Sequence, residues 1–270
     1  MSELLEMGVV APVKKPESPV EDLDPKIIAG QKAIMGHAHN LEVNGKADTR
    51  EFVDYFDTSV SLEDRVQTDL DELQVAPNKR EAIHKYLDLI KDKHQSSYEH
   101  SLRVGLIARQ IAKFMGIDEK VLLYAGLLHD VGKTMVPAST LLKTEGWTPE
   151  DTANVQAHVE SGYKLLRDKF DFTAEVILRH HRFQTRPYPE ELPKSLHEYS
   201  EDTKTLINEY GRILAMADVY DALHRINDKH GVKRALNGEE IHEQMLSLNP
   251  DRTELVEKLY AAGVFTTNIQ

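Results

Sequence analysis

The sequence predicts an all-α protein, and three observations carry that reading. From Pro25 onward, each patterned stretch repeats its apolar residues at three- and four-residue steps, the spacing of one helix face. No stretch alternates apolar and polar residues as a half-buried strand does. The punctuation is also helical: Asn78 with Glu81 three residues on has capping-box spacing, Thr148-Pro149 reads as an N-cap followed by a first-turn proline, and Asn249-Pro250 separates two C-terminal helices. There is no internal repeat and no heptad series.

Composition narrows the class. The chain has 270 residues, 40% hydrophobic and 29% charged, with a formal net charge of -12. That length buries a substantial core as one domain with an appendage or as two small ones. Cysteine is absent, which excludes disulfides, thiolate metal sites and a cysteine nucleophile. The net acidity argues against a nucleic-acid polymer as partner, while small anions remain compatible with a local basic pocket. No run reaches the roughly 18 apolar residues of a membrane span, and the start lacks the basic-then-apolar order of a signal peptide. A soluble, cytoplasmic protein with no membrane partner is the expectation.

Taken in order, residues 1–25 carry four prolines among charges and read as a flexible tail. Residues 26–95 read as an N-terminal helical region of short amphipathic segments: PKIIAGQKAIM, TREFVDYF, SLEDRVQTDLDEL and NKREAIHKYLDLIKDK. Their histidines, His37, His39, His84 and His94, read as surface or packing residues. Residues 96–270 form the chemistry-bearing domain. In YEHSLRVGLIARQIAKFMG the stripe Val104, Ile107, Ala108, Ile111 and Met115 extends back one turn onto His100. LLYAGLLHDVGK places His129 on the face of Leu122, Ala125 and Gly126, then adds Asp130, a turn at Gly132, and Lys133. A single helix from Thr148 is expected to bury Val155, His158, Gly162 and Leu165. FTAEVILRHH runs Val176 and Ile177 into His180-His181, residues 182–204 read as loop, and GRILAMADVYDALHRI sets Asp218 and Asp221 one turn apart.

One histidine on an apolar stripe is most often a satisfied core residue. Here separate helices each bring a histidine or aspartate to an apolar face, and ionisable groups are rarely buried unpaired. Imidazole and carboxylate without sulfur suit Fe, Mn, Zn, Ni or Co, and the set is too large for one tetrahedral zinc. Two adjacent divalent ions sharing Asp130 use it all, with Fe or Mn favoured. Lys133 can present a cation to a bound phosphate, and Asp221 can bind substrate or orient a ligand. Arg182, Arg186, Arg225 and Lys229 flank the site as candidate phosphate contacts.

The order His100, His129-Asp130 with Gly132-Lys133, His158 with Gly162, His180-His181, then ADVYDAL at Asp218 resembles the HD-domain metal-dependent phosphohydrolases, most closely the HD-GYP branch. The resemblance extends over residues 96–265. It implies a helical bundle around a polynuclear metal site, with His100, His129 and Asp218 on one ion, and His158 with one or both of His180 and His181 on the other. It further implies a two-metal phosphodiesterase acting on a small phosphorylated substrate, a nucleotide or cyclic dinucleotide, through activated water. The loop departs from the branch: RFQTRPYP has Pro187 where the motif glycine falls, leaving Tyr188-Pro189 as the substrate-facing remnant. HRINDKHG replaces the usual Arg-Pro-Tyr, and Ser96 stands where three-metal members carry a glutamate. Two ions and relaxed dinucleotide selectivity are therefore expected. The same scaffold and ligand set also resemble mixed-valent di-iron oxygenases. A signalling module that only binds nucleotide is a second rival, a structural role with the metals only as staples is a third, and the N-terminal helices are a candidate homodimer surface.

Overall fold

The computed structural model describes residues 59–143, 146–224 and 236–267. The expected tail, the first two helical segments, His37, His39, Arg225 and Lys229 lie outside the described residues. Among the described residues every regular element is helical. In order they are α1 (Leu62–Glu72), α2 (Pro77–Lys93), α3 (Gln95–Met115), α4 (Glu119–Leu128), a 3-10 segment (Val131–Met135), α5 (Ala138–Leu141), α6 (Pro149–Gln156), α7 (His158–Leu166), α8 (Asp171–Ile177), α9 (Glu201–Leu223), α10 (Gly238–Leu248) and α11 (Thr253–Ala261).

The helices share one hydrophobic cluster. Leu70 of α1, Ile83 and Ile90 of α2, Leu106 and Ile111 of α3, Leu123 of α4, Ile177 of α8 and Leu214 of α9 all belong to it, as do Met245 of α10 and Leu259 of α11. The helices on either side of residue 95 thus bury their apolar stripes together. At the centre α3 and α4 approach backbone to backbone: a Cβ added at Gly126 would lie 2.5 Å from the Gly105 Cα. Only glycine at both positions permits that approach.

Three local expectations change. Helix α2 begins two residues earlier than the Asn78 cap implied. Ala76 is the N-cap, and Pro77 opens the helix with a fixed φ and no N–H to satisfy. The helix expected from Thr148 is two helices, divided at Ala157. The cap at Thr148 is as read, with a reciprocal bond to Asp151, but α6 buries no residue. The buried face belongs to α7 and comprises His158, Val159, Gly162, Tyr163 and Leu166, whereas Val155 and Leu165 are half-buried. The Val155 carbonyl instead receives the His158 Nδ1–H at 2.5 Å, so the ring and the chain break are fixed together. Finally, α9 starts at Glu201, inside the stretch read as loop. The Ser200 hydroxyl accepts from Thr203 N, and Glu201 and Asp202 occupy the positive end of the helix.

Candidate metal centre

The seven predicted ligands arrive from five places in the chain, and local structure aims them. Helix α4 ends at Leu128, so His129 and Asp130 sit at its C-terminus as the chain tightens into the 3-10 segment. His100 lies in the second turn of α3, His158 opens α7, His180 and His181 follow α8, and Asp218 lies in the last third of α9. The 3-10 segment meets α7 at Gly132, where an added Cβ would fall 1.8 Å from the His158 carbonyl oxygen. That contact sets Asp130 against His158.

The structure brings these side chains to one buried point. Three donor sets each fall within 4.8 Å: His100, His129 and Asp218; His158, His180 and His181; and His129, Asp130 and His180. His100, His129, Asp130, His158 and His180 are each at most 2% exposed. Around Asp130, His158 Nε2 lies 3.3 Å from Oδ1, while His129 Nε2 and His100 Nε2 lie 3.4 and 3.7 Å from Oδ2. His100 Nε2 is 3.0 Å from Asp218 Oδ1, and the two Nε2 atoms of His100 and His129 are 3.3 Å apart.

The hydrogen bonds on the far side of each ring decide what these atoms are. His129, His158 and His180 each donate Nδ1–H to the backbone carbonyl three residues back, on Gly126, Val155 and Ile177 respectively. In the neutral ring the proton is then on Nδ1 and the lone pair is on Nε2. Nε2 of His158 and of His180 are buried without any hydrogen-bond partner. Lone pairs therefore face carboxylate oxygens across about 3 Å, an arrangement that a cation between them would satisfy. The residues fit divalent metal, with a nitrogen and oxygen donor set and no sulfur.

Electrostatics agree. Burial pushes His129 down to about 4 and His158 to about 3, and it lowers His180 and His181 as well, so these rings are neutral ligands near pH 7. Burial acts in the same direction on His100, but hydrogen bonds to Asp218 and Asp221 outweigh it and raise this ring. For Asp130, burial works upward and is overcome by His129, Lys133, His158 and His100, which hold the carboxyl well below its usual range.

Around this centre the remaining candidates divide. Lys133 extends from the 3-10 segment and places Nζ 2.5 Å from Asp130 Oδ2, with its side chain 21% exposed. Tyr188 stacks on His181 at 4.4 Å between ring centroids, and the Gln184 amide meets His181 Nδ1 at 2.6 Å. Arg182 does not reach toward the ligands. Its guanidinium donates to the Pro189 and Glu190 carbonyls and braces the loop, because unpaired backbone oxygens there are the nearer acceptors. Arg186 is exposed on the same loop. Asp221 is fully buried, with its oxygens engaged by His100 and Arg103, which fits the ligand-orienting one of the two roles read from the sequence. Arg103 escaped the sequence reading, which followed the apolar stripe; its position three residues after His100 was the available signal.

An all-helical chain that converges histidines and aspartates from separate helices on one buried point defines a metal-binding class. The HD domain family model matches residues 97–223. Residues 97–223 thus form an HD domain, similar to those of the HD-domain phosphohydrolases. The chain is 28% identical over 176 residues to 3'3'-cGAMP-specific phosphodiesterase 2 of Vibrio cholerae, which spans 62% of this chain and 31% of that protein. It is 29% identical over 173 residues to the cyclic di-GMP phosphodiesterase response regulator RpfG of Xanthomonas campestris, spanning 61% of this chain and 43% of that protein. It is 31% identical over 135 residues to a cyclic di-GMP phosphodiesterase of Thermotoga maritima, spanning 47% of this chain and 34% of that protein. The chain thus spans less than half the length of these relatives. Among the described residues no helix is long and apolar enough to cross a membrane.

Proposed function

We propose that this chain is a metal-dependent phosphodiesterase that cuts a nucleotide or cyclic dinucleotide ester at a two-metal centre. The observation that carries the reading is the set of inward lone pairs, with His158 and His180 Nε2 buried and unpartnered beside the Asp130 and Asp218 carboxylates. His100, His129 and Asp218 would hold one ion, His158, His180 and His181 the other, and Asp130 would lie on both, with Fe or Mn the favoured metals. A bound pair of divalent ions supplies water activation near neutral pH and neutralisation of phosphate charge.

The chain's own groups do the rest. Backbone carbonyls hold His129, His158 and His180 in the Nδ1–H form, so these three rings do not have to reorganise on binding. Lys133, partly exposed beside Asp130, offers a cation that can follow negative charge onto a phosphate oxygen. Tyr188 and His181 form a stacked wall on the side of the loop. Arg182 stiffens that loop and leaves the phosphate to Lys133.

The loop lacks the fuller glycine-rich motif and its polar groups, and discrimination built on hydrogen bonds falls steeply when donors and acceptors are missing. Activity on a generic phosphodiester or a smaller nucleotide is therefore expected to match or exceed that on cyclic di-GMP. Steady-state kinetics on bis-p-nitrophenyl phosphate, cyclic di-GMP and 3'3'-cGAMP, with oxygen uptake followed in parallel, test the proposal. Metal-dependent release of ring-opened nucleotide supports it. Oxygen consumption without hydrolysis transfers the chain to the oxygenase reading, and a kcat/KM for one cyclic dinucleotide about a hundredfold above the others contradicts the loop argument.

A further inference from the structure

The four central histidines are not held alike. His129, His158 and His180 rest their Nδ1–H groups on neutral backbone carbonyls. His100 rests its Nδ1–H on a carboxylate, Asp221 Oδ2, at 2.6 Å. Asp221 is 0% exposed. A carboxylate buried to that degree needs a charged partner, and Arg103 supplies one with two prongs: Nε is 2.5 Å from Oδ1, and one terminal nitrogen is 3.3 Å from Oδ2. Arg103 lies one turn beyond His100 on α3, and Asp221 one turn beyond Asp218 on α9. The relay therefore runs between the two helices that carry His100 and Asp218.

We infer that Arg103 is a positioning residue: through Asp221 it fixes the ring plane and Nδ1–H form of His100, and so sets how tightly the His100, His129 and Asp218 subsite holds its ion. A carboxylate acceptor makes an imidazole a stronger donor than a carbonyl does, so this subsite is the richer of the two. The guanidinium keeps that carboxylate in one orientation and limits how far it draws the ring proton. Without Arg103, Asp221 loses the two-pronged partner that fixes its orientation, and a carboxylate free to turn no longer holds the ring in one plane. The subsite of His158, His180 and His181 has no such relay among the bonds described, so loss of Arg103 should act on one ion and spare the other. This rests on the two-metal reading.

Mn(II) titration of the full chain, followed by equilibrium dialysis and electron paramagnetic resonance, tests both levels separately. The wild type should bind two Mn(II) with a spin-coupled signal. Arg103→Met should keep one ion at wild-type affinity and bind the other about 10- to 100-fold more weakly, with the coupled signal replaced by that of an isolated ion. Arg103→Lys, which keeps the charge but not the fork, should weaken the same ion by a smaller factor, and it serves if the methionine variant fails to fold. In metal-free protein, nitrogen-15 spectra should show His100 leaving the single Nδ1–H form in the variant while His158 does not. Two ions bound as tightly as in the wild type, or equal weakening of both in a folded variant, overturns the role of Arg103 and leaves the metal reading intact. Failure of the wild type to bind a coupled pair overturns that reading instead.

Discussion

At Lys133 and the buried histidines, the site's chemistry reduces to where protons and lone pairs sit. The ammonium of Lys133 touches Asp130 yet remains partly exposed, so it can contribute to turnover without being needed to assemble the ligands. Lys133→Met is expected to lower kcat by about 10²-fold with metal content unchanged, the size of effect seen when one charge-stabilising donor is lost. Metal analysis beside kinetics checks this, and loss of metal together with rate contradicts it. The histidines set a pH response of the metal-free chain. His129 falls to about 4 and His158 to about 3, below the free value, so between pH 6.5 and 4 the unfolded chain binds more protons than the folded one. His180 and His181 act in the same direction. Stability is therefore fully present above pH 6.5 and is lost as pH falls toward 4. Asp69, raised to about 6 by burial, opposes this over part of the window, as do Asp118, Asp171 and His100, which are also raised; the four lowered histidines set the expected net sign. Urea midpoints of chelator-treated protein should be lower at pH 5 than at pH 7; the reverse order contradicts the assignment. The sequence exposed these residues because a polar group on an apolar stripe is conspicuous. It hid Arg103, whose charge looks ordinary on a helix until Asp221 arrives from 118 positions away.

Among the elements, the junction of the 3-10 segment with α7 controls the centre. Gly132 lies so near the His158 carbonyl and Gly162 N that any side chain must push the two elements apart. Overpacking of this kind costs about 1–3 kcal/mol, and here the displaced elements carry Asp130 and His158. Gly132→Ala is expected to reduce metal content more than it reduces helicity, measured by metal analysis and circular dichroism on one sample. Unchanged metal binding would show the contact to be incidental. The 3-10 segment and the four-residue α5 are too short to carry a pattern, but element type was legible from periodicity for the longer helices. Boundaries were not, where side chains take over backbone bonds: the break at Ala157 depends on His158 claiming the Val155 carbonyl, and the early start of α9 depends on Ser200 capping a segment whose composition resembles loop.

For the molecule as a whole, one buried cation joins the leading helices to the metal-bearing ones. Arg109 of α3 is 5% exposed and bonds Asp69 and Glu72 of α1 as well as Glu119 of α4. Removing one partner from such a group strands buried charge, so Arg109→Ala should cost about 3–5 kcal/mol in urea unfolding. The metal affinity of the folded fraction should stay unchanged. A cost below about 1 kcal/mol would show that α1 is held by apolar contact alone. This tie could not be read from sequence, since neither its charges nor their spacing differ from those of a solvated helix face. The central claim, by contrast, concerns composition of the bound state and can be counted. Anaerobic purification followed by metal quantification on wild type and Asp130→Ala tests it most directly. Two ions per wild-type chain, with loss of the pair in the folded variant, is the predicted result, whereas one ion or none in folded wild type, or an undiminished pair in Asp130→Ala, would contradict it.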